Sequence, residues 1–561
     1  MEYEIKIGVA VVLVAATLII KAVYDRRTLK KRRILAAKNH FAAPVAEEYS
    51  ADRMQRLAQY YLDHTGEEDI DEITWNDLDM DRLFHQMNHT CCAMGEEYLY
   101  SMLHKPLFES DALDERRRVV DCLCEQESAR EQLMAGMMSM GKNSQFAVYD
   151  YLRNLKGLRH KNPAIHILQA VALLASLILL GVWPQQMILV VAGIIIVNML
   201  TYYRVKADAV DPYLYLFRYI LRMIGFCQDI SKVRVDGMEE YFREIEHKAA
   251  CFEKFAKGSS LVIGGDGMGG SIMDSLMDYI RMMFHIDLIK FQGMTREMIL
   301  HQEDLFDLFE KIGFLDSMIG IASWKTMRED TCVPKLVQDR CSLRMEQVVH
   351  PLVTQSVANS LDAQGSILLT GSNASGKSTF LKTIAIQAIL AQTVGYVTAA
   401  SYEGGFFRIY SSMALRDDLC AKESYFIVEI KSLKRILDAM ETPGAPVLCF
   451  VDEVLRGTNT LERIAASTQI LLQISQGRSL CFAATHDIEL TRLLEDEFAN
   501  YHFEEQVTQD SVEFDYRLKQ GPAVTRNAIR LLQMLGYDSA LVRKAQDSVD
   551  RFQREGIWSK E

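Results

Sequence analysis

The octapeptide Gly371-Ser372-Asn373-Ala374-Ser375-Gly376-Lys377-Ser378, entered from the apolar run Ile367-Leu368-Leu369, constrains this chain more than any other stretch. Its spacing is that of a P-loop, G-x-x-x-x-G-K-[ST]. Glycines bend such a loop so that successive backbone N–H groups and a helix N-terminus point at phosphate oxygens. Lys377 would neutralise the β/γ charge, and the Ser378 hydroxyl would hold Mg²⁺. The loop requires a strand before it and a helix after it. Ile367 to Leu369 reads as the strand and Phe380 to Gln392 as the helix.

Two further apolar runs fit the same sheet. Val447-Leu448-Cys449-Phe450-Val451-Asp452-Glu453 follows the turn-former Pro443-Gly444-Ala445-Pro446 and reads as a buried parallel strand. It ends in two carboxylates at its C-terminal edge, where ligands bind in open α/β sheets. Asp452 would hold Mg²⁺ through water, and Glu453 would accept a proton from water attacking the γ-phosphate. Leu480 to Ala484 is a third strand, and Thr485-His486-Asp487 follows it. His486 is expected there as a γ-phosphate sensor, a switch rather than the primary base.

At 561 residues the chain exceeds one ordinary core, so several domains are expected. A net charge of −13 argues against a strongly basic nucleic-acid binder, though not against a local basic face. The eleven cysteines show no paired C-x-x-C motifs at zinc spacing and read as reduced thiols.

Three apolar stretches read as membrane spans. Ile7 to Tyr24 is followed at once by Arg26, Arg27, Lys30, Lys31, Arg32 and Arg33, a cluster that stays cytoplasmic and leaves the amino terminus outside. Because the charge follows the apolar run, an uncleaved anchor is expected rather than a signal peptide. Ile165 to Val182 and Met187 to Tyr203, split by Trp183-Pro184-Gln185-Gln186, read as a helical hairpin with no charged residue in either run. Basic residues on both flanks, Lys156 and Arg159 before and Arg204 and Lys206 after, place both polar segments in the cytoplasm of what would be a bacterial inner or plasma membrane.

Residues 44–161 and 207–325 carry helical spacing, as in Leu78, Met80, Leu83, Phe84 and Met87. Gly264 to Gly270 interrupts the second segment and reads as a loop, since the dinucleotide fingerprint needs a βαβ unit that is missing there. From about Val333 strands alternate with helices.

Several separated segments are similar to the MutS group of DNA mismatch-repair ATPases, within the wider ABC class. The P-loop with Thr379-Phe380-Leu381 resembles that family's, Asn373 included, with Ser372, Ala374 and Ser375 in place of the usual Pro, Met and Gly. Asp417-Asp418-Leu419 and Ser424 to Ile430 resemble its signature segment. Asp452 to Thr460 resembles its Walker B and following loop, with Leu455 and Asn459 replacing Gly and Ser. Ala484-Thr485-His486 with Glu489-Leu490-Thr491 resembles its switch region, and Asn500-Tyr501-His502 the segment whose His lies against adenine. Leu78 to Leu107, with Gly95-Glu96-Glu97-Tyr98-Leu99, and Leu308 to Ala322 resemble the ends of its helical core, and Gly521 to Phe552 its terminal helices.

The resemblance implies ATP and Mg²⁺ as cofactors and a homodimer in which Ser424 and the Thr458/Asn459 loop complete the partner's site. The implied catalytic set is Glu453, Lys377, His486 and Ser424. Gly371, Ser372, Asn373, Ala374, Ser375, Gly376, Lys377, Ser378, Thr379 and His502 bind nucleotide in this reading, and Ser378 and Asp452 hold the metal. DNA is a partner the resemblance alone implies. Ahead of the helical core only the first span and a short linker are expected, with no Phe-x-Glu motif in them, and no nuclease module is expected after the terminal helices, so direct mismatch recognition is not expected.

The expected fold class is α plus α/β multidomain. Its parts are an anchor at 1–25, a basic linker at 26–69, helical core at 70–162 and 205–330, the hairpin at 163–204, the P-loop ATPase at 331–520 and dimerisation helices at 521–561. The expected activity is ATP hydrolysis that drives a clamp. The alternative is a mechanical ATPase acting on a membrane or protein partner without nucleic acid.

Overall fold

A computed structural model of the chain describes residues 21, 24, 27–45, 49–142, 146–157, 163–206, 211–257, 259, 279–372, 375–413, 425–456, 458–507, 512–523, 529, 532, 536–556 and 558. The first expected span apart from Lys21 and Tyr24, the Gly264 to Gly270 run, Asn373, Ala374, Asp417, Asp418 and Ser424 lie outside these. The chain divides into two compact units. One comprises Met1–Thr65, Met87–Ser101 and Arg118–Met327, the other Gly66–Gln86, Met102–Arg117 and Arg328–Glu561. Among the described residues every strand falls in the second unit.

The second unit is built on a six-stranded sheet. Its order is Lys519–Gln520, Ala499–His502, Ile367–Thr370, Ser479–Ala484, Val447–Asp452, Arg408–Ser412, with all neighbours parallel except the Lys519–Gln520 edge. Buried parallel strands have apolar residues on both faces, and Val447 to Val451 and Leu480 to Ala484 are fully buried for that reason. Alternation sends Val447, Cys449 and Val451 to one face, where they pack with Leu433 and Ile436 of helix Tyr425–Glu441 and Leu471 and Ile474 of helix Thr460–Gln476. Helix Lys377–Thr393, buried along most of its length, lies on the sheet and contacts the Arg408, Val447 and Ser479 strands. A separate four-stranded sheet has the order Lys335–Val337, Ser401–Gly405, Leu343–Val348, Asn359–Ala363.

Residues 66–86 and 102–117 pack in the second unit, although 70–86 and 102–117 were expected within the helical core and 66–69 within the basic linker. Side-chain hydrogen bonds hold them there. The Asp77 carboxylate accepts from Ser411 Oγ at 2.6 Å and Met413 N at 2.9 Å. Arg435 pairs with Asp71, and the Leu107 N–H donates to Gln392 O. Sequence periodicity marks these segments as helical but carries no information about which core receives them.

The first unit centres on helix Gln302–Thr326, whose buried residues cover all its faces through Leu305 to Trp324. Every residue of Gly95-Glu96-Glu97-Tyr98 has a structural role there. A Cβ at Gly95 would lie 2.1 Å from Asp316 Oδ2, so only glycine admits that carboxylate. Asp316 accepts the Cys91 and Cys92 N–H groups at 2.9 Å, at the start of helix Ala93–His104. Glu96 pairs with buried Arg53 at 2.8 Å. Glu97 accepts the Val148 and Tyr149 N–H groups at 2.7 and 3.0 Å, capping helix Val148–Arg153. Tyr98 packs edge-on against Phe314.

The hairpin forms as helices Ala164–Leu180 and Pro184–Val205, the second opened by Pro at its start. Among the described residues only Pro184–Val205 is long and apolar enough to cross a membrane; Ala164–Leu180 has 17 residues. Where three spans were expected, the described residues therefore contain one of full length. The two helices pack on each other, with Gln169 Nε2 donating to Thr201 Oγ1 at 3.3 Å across them and Leu173 and Val191 buried, and present apolar side chains outward, Leu168 at 68%, Leu189 at 79% and Leu200 at 69% exposure. Their polar residues turn inward at the root. His166 Nδ1 lies 3.0 Å from His285 Nδ1, Asn198 Nδ2 donates to Met283 O at 2.8 Å, and the Tyr202 hydroxyl donates to Asp287 at 2.6 Å. The ten described cysteines are free thiols, as expected.

Burial raises the Glu97 carboxyl from its ordinary value to about 8, against the opposing pull of the two backbone donors. A folded-state value above the unfolded one contributes stability below pH about 4.5 that is lost as pH climbs toward 8. Thermal midpoints measured across that window should therefore fall with pH in the wild type and fall less in Glu97→Gln. Parallel slopes for the two proteins would show that Glu97 titrates normally.

Candidate nucleotide-binding site

The parallel register brings the chemistry to one edge. Ala484 pairs with both Leu369 and Asp452, and His502 pairs with Thr370. The ladder continues past the strands, because Glu453 N donates to Ala484 O, Thr485 N to Leu369 O and Phe503 N to Thr370 O, at 2.9 to 3.0 Å. Lys377, Asp452, Glu453 and His486 thus meet at the C-terminal edge of the sheet.

Gly371 and Gly376 adopt φ of 140° and 103°, values that favour glycine. A Cβ at Gly371 would sit 2.7 Å from Phe503 O and 2.9 Å from Ser375 Oγ. The Lys377 ammonium, almost fully buried, donates to Gly371 O at 2.7 Å and Ser372 O at 3.0 Å and lies 3.4 Å from His486 Nε2. Burial lowers its pKa, while Asp452, Glu453 and Glu505 oppose that shift. Ser372 Oγ donates to Glu505 Oε2 at 3.0 Å, which ties the loop to the strand at 505–507.

The two adjacent carboxylates behave differently. Burial raises the Asp452 pKa, offset in part by a hydrogen bond from the Ser378 hydroxyl and by Lys377. Glu453 is pulled down, chiefly by its hydrogen bond with His486 and then by the charges of His486, Arg456 and Lys377, against burial. His486 Nε2 is 2.8 Å from Glu453 Oε1, and Arg456 Nε is 3.0 Å from Oε2. Both oxygens of the expected base thus have partners. Glu453 and Leu455 occupy left-handed backbone at φ 60° and 57°, a conformation costing a non-glycine residue about 1–2 kcal/mol. Leu455 stands where the resemblance has glycine, and its side chain is buried in the core beside Val454.

Neighbouring residues fix this edge. Arg463 grips Asp487 with two bonds of 2.8 and 2.6 Å, holding the turn that carries His486. Glu429, on helix Tyr425–Glu441 and within the signature-like segment, accepts the Arg456 N–H at 3.2 Å. Asn459 caps helix Thr460–Gln476 by accepting from Leu461 N at 2.9 Å. The sequence assigned no role to Arg456, Arg463, Asp487 or Glu505, although Arg456 and Asp487 lay inside recognised motifs, close to Glu453 and His486.

A cavity of about 460 Å³ opens beside the loop, within the range of small-molecule sites. Gly376, Ser378 and Thr379 line one side, and the rings of Phe503 and Tyr516 another. Asn359 positions the Tyr516 segment, donating to Tyr516 O at 3.0 Å and accepting from Leu518 N at 2.8 Å. His502 is not part of this lining; its Nδ1 lies 2.8 Å from Gly521 O. The fit to a nucleotide is good. The Lys377 ammonium lies at the loop, and the Ser378 hydroxyl with the Asp452 carboxylate offers the hard oxygens Mg²⁺ prefers.

Residues 367–553 match the family model of MutS domain V, and residues 71–189 that of MutS domain III. The chain is related to the MutS family. Over 270 residues it is 30% identical to a DNA mismatch repair protein MutS of Natronomonas pharaonis, covering 46% of this chain and 31% of that protein. The match thus spans less than a third of that MutS protein's length. In this MutS-related chain the domain V match contains the whole sheet edge from Ile367 to His502, and the domain III match runs into the second hairpin helix.

Gly371→Ala tests the loop geometry. The clash with Phe503 O should weaken binding of a fluorescent ATP analogue at least about tenfold, the factor that roughly 1.4 kcal/mol of strain produces. Unchanged affinity in that titration would show that the loop relaxes around a side chain.

Proposed function

We propose that this chain is a membrane-anchored ATPase that binds ATP with Mg²⁺ and turns it over in a dimer. The supporting observation is the convergence of Lys377, Ser378, Asp452, Glu453 and His486 at one sheet edge. Bound ATP supplies the phosphoanhydride bond whose cleavage drives the cycle. Lys377 holds its ammonium on the Gly371 and Ser372 carbonyls, at the mouth of the loop, where it can exchange them for phosphate oxygens. Ser378 and Asp452 would hold the metal. Glu453, kept ionised by His486 and Arg456, would accept the proton of the attacking water once one carboxylate oxygen is released. His486 touches both Glu453 and Lys377 and so can report on either. Ser424 and the Thr458/Asn459 loop of a second copy would complete the site.

Glu453→Gln should leave nucleotide affinity within about twofold while lowering phosphate release by 10² or more, the usual contribution of a positioned general base. Full turnover in the variant would remove Glu453 from the role of base.

The membrane clause rests on the hairpin, whose outward faces are apolar over both helices. Alkaline carbonate should fail to extract the chain from cell membranes, and release into the supernatant would sink the anchor. What the motion acts on separates two readings. Clamping DNA requires phosphate contacts, so affinity for duplex, junction or single strands should fall by orders of magnitude between 50 and 200 mM salt, as about 10³-fold or more does for six or more contacts. Absent or salt-insensitive binding would favour a membrane or protein partner, the reading that the apolar hairpin supports.

A further inference from the structure

A second cavity, of about 440 Å³, lies in the helical unit far in sequence from the P-loop. Three helical segments wall it: residues 27–40, helix Glu127–Met137 with the turn after it, and helix Asp211–Ile230. Its lining carries four cations, Lys30, Arg33, Arg222 and Lys232, against the single acid Asp229. Lys232 and Asp229 pair with each other, which leaves Lys30, Arg33 and Arg222 uncompensated within the lining. In a chain of net charge −13 this is a local reversal of sign.

The remaining wall is largely apolar, with Leu29 and Ile34 from one helix and Phe226 and Ile230 from another, and Gln132 and Ser139 are its neutral polar members. Small residues keep the space open. Gly136 lets Phe226 lie against the backbone, since a Cβ there would meet its ring at 2.6 Å, and Gly225 has no atom within 4 Å of where its Cβ would stand. Position supplies the second argument. Leu29 follows Tyr24, the end of the apolar 7–24 stretch, by five residues, a chain length that reaches no more than roughly 18 Å.

We propose that this cavity binds the phosphate headgroup of an anionic phospholipid, with the cations on the phosphate and the apolar wall against the first acyl carbons. A free phosphate would use the cations alone and leave Leu29, Ile34 and Phe226 without a role. The inference rests on the membrane clause above, and it makes the juxtamembrane segment a lipid-selective contact rather than a general electrostatic one. A cytoplasmic surface cation attracts anionic lipid without shape; a walled cavity adds discrimination by size.

The test uses full-length protein in neutral detergent, titrated with dihexanoyl phosphatidylglycerol, dihexanoyl phosphatidylcholine and inorganic phosphate, with the thermal midpoint as readout. The phosphatidylglycerol should act at concentrations on the order of tenfold lower than either control, as expected for several cations acting together. Arg33→Glu with Arg222→Glu should abolish that preference, and so should Gly225→Leu, whose Cβ has open space and whose side chain would occupy the cavity. ATP turnover in these variants should stay at the wild-type rate, which shows that they fold. Equal response to the two lipids, inorganic phosphate as potent as phosphatidylglycerol, or variants that keep the preference would each overturn the proposal. Carbonate extraction separates the two claims: a chain that stays in membranes but shows no lipid preference loses only this inference, and one that is released loses the anchor.

Discussion

Parallel pairing of the Ile367–Thr370 strand between Ser479–Ala484 and Ala499–His502 is the constraint on which the candidate site depends. A parallel ladder aligns strand ends that are distant in sequence, and the hydrogen bonds from Glu453 N and Thr485 N carry the alignment one residue beyond the strands. A slip by one residue would exchange the faces that Asp452 and the buried Val451 occupy. Burial of Val447 to Val451 and Leu480 to Ala484 between helix layers opposes such a slip. The price of the arrangement is paid locally, in the left-handed backbone at Glu453 and Leu455.

The site satisfies its own charges. Lys377 bonds to loop carbonyls, Glu453 to His486 and Arg456, and Ser372 to Glu505. Buried charge without a partner is costly, and each of these contacts is one that phosphate, metal or water can replace.

The helical unit uses close backbone approach where the other uses a ladder. Gly95 admits Asp316, and Gly313 packs against Tyr98, whose Cβ would lie 2.8 Å from a Cβ at that glycine. The apolar hairpin grows out of this unit on a polar root of His166, Asn198, Tyr202, His285 and Asp287. Polar residues gathered at the base of a pair of outwardly apolar helices orient the hairpin, because the hydrogen bonds have direction and the apolar packing does not.

Much of this was legible in the chain. G-x-x-x-x-G-K-S predicts strand, loop and helix from local rules, and they occur at Ile367–Thr370 and Lys377–Thr393. The apolar run ending in Asp452-Glu453 likewise specifies a buried strand with its carboxylates at the edge. Other features had no local signal. Arg463 and Asp487 are 24 residues apart, Glu505 and Ser372 133 apart, and only the folded sheet makes them neighbours. Helical periodicity at 66–86 and 102–117 likewise named the element without naming its core. By itself the sequence determined which segments bend, which form a P-loop pattern and which are buried, since those are properties of short segments. Tertiary structure alone decided that both oxygens of Glu453 are held, that Phe503 and Tyr516 rather than His502 line the cavity beside the loop, and that three cations converge at Leu29 and Phe226. Each of those depends on distances between segments, which no local pattern encodes.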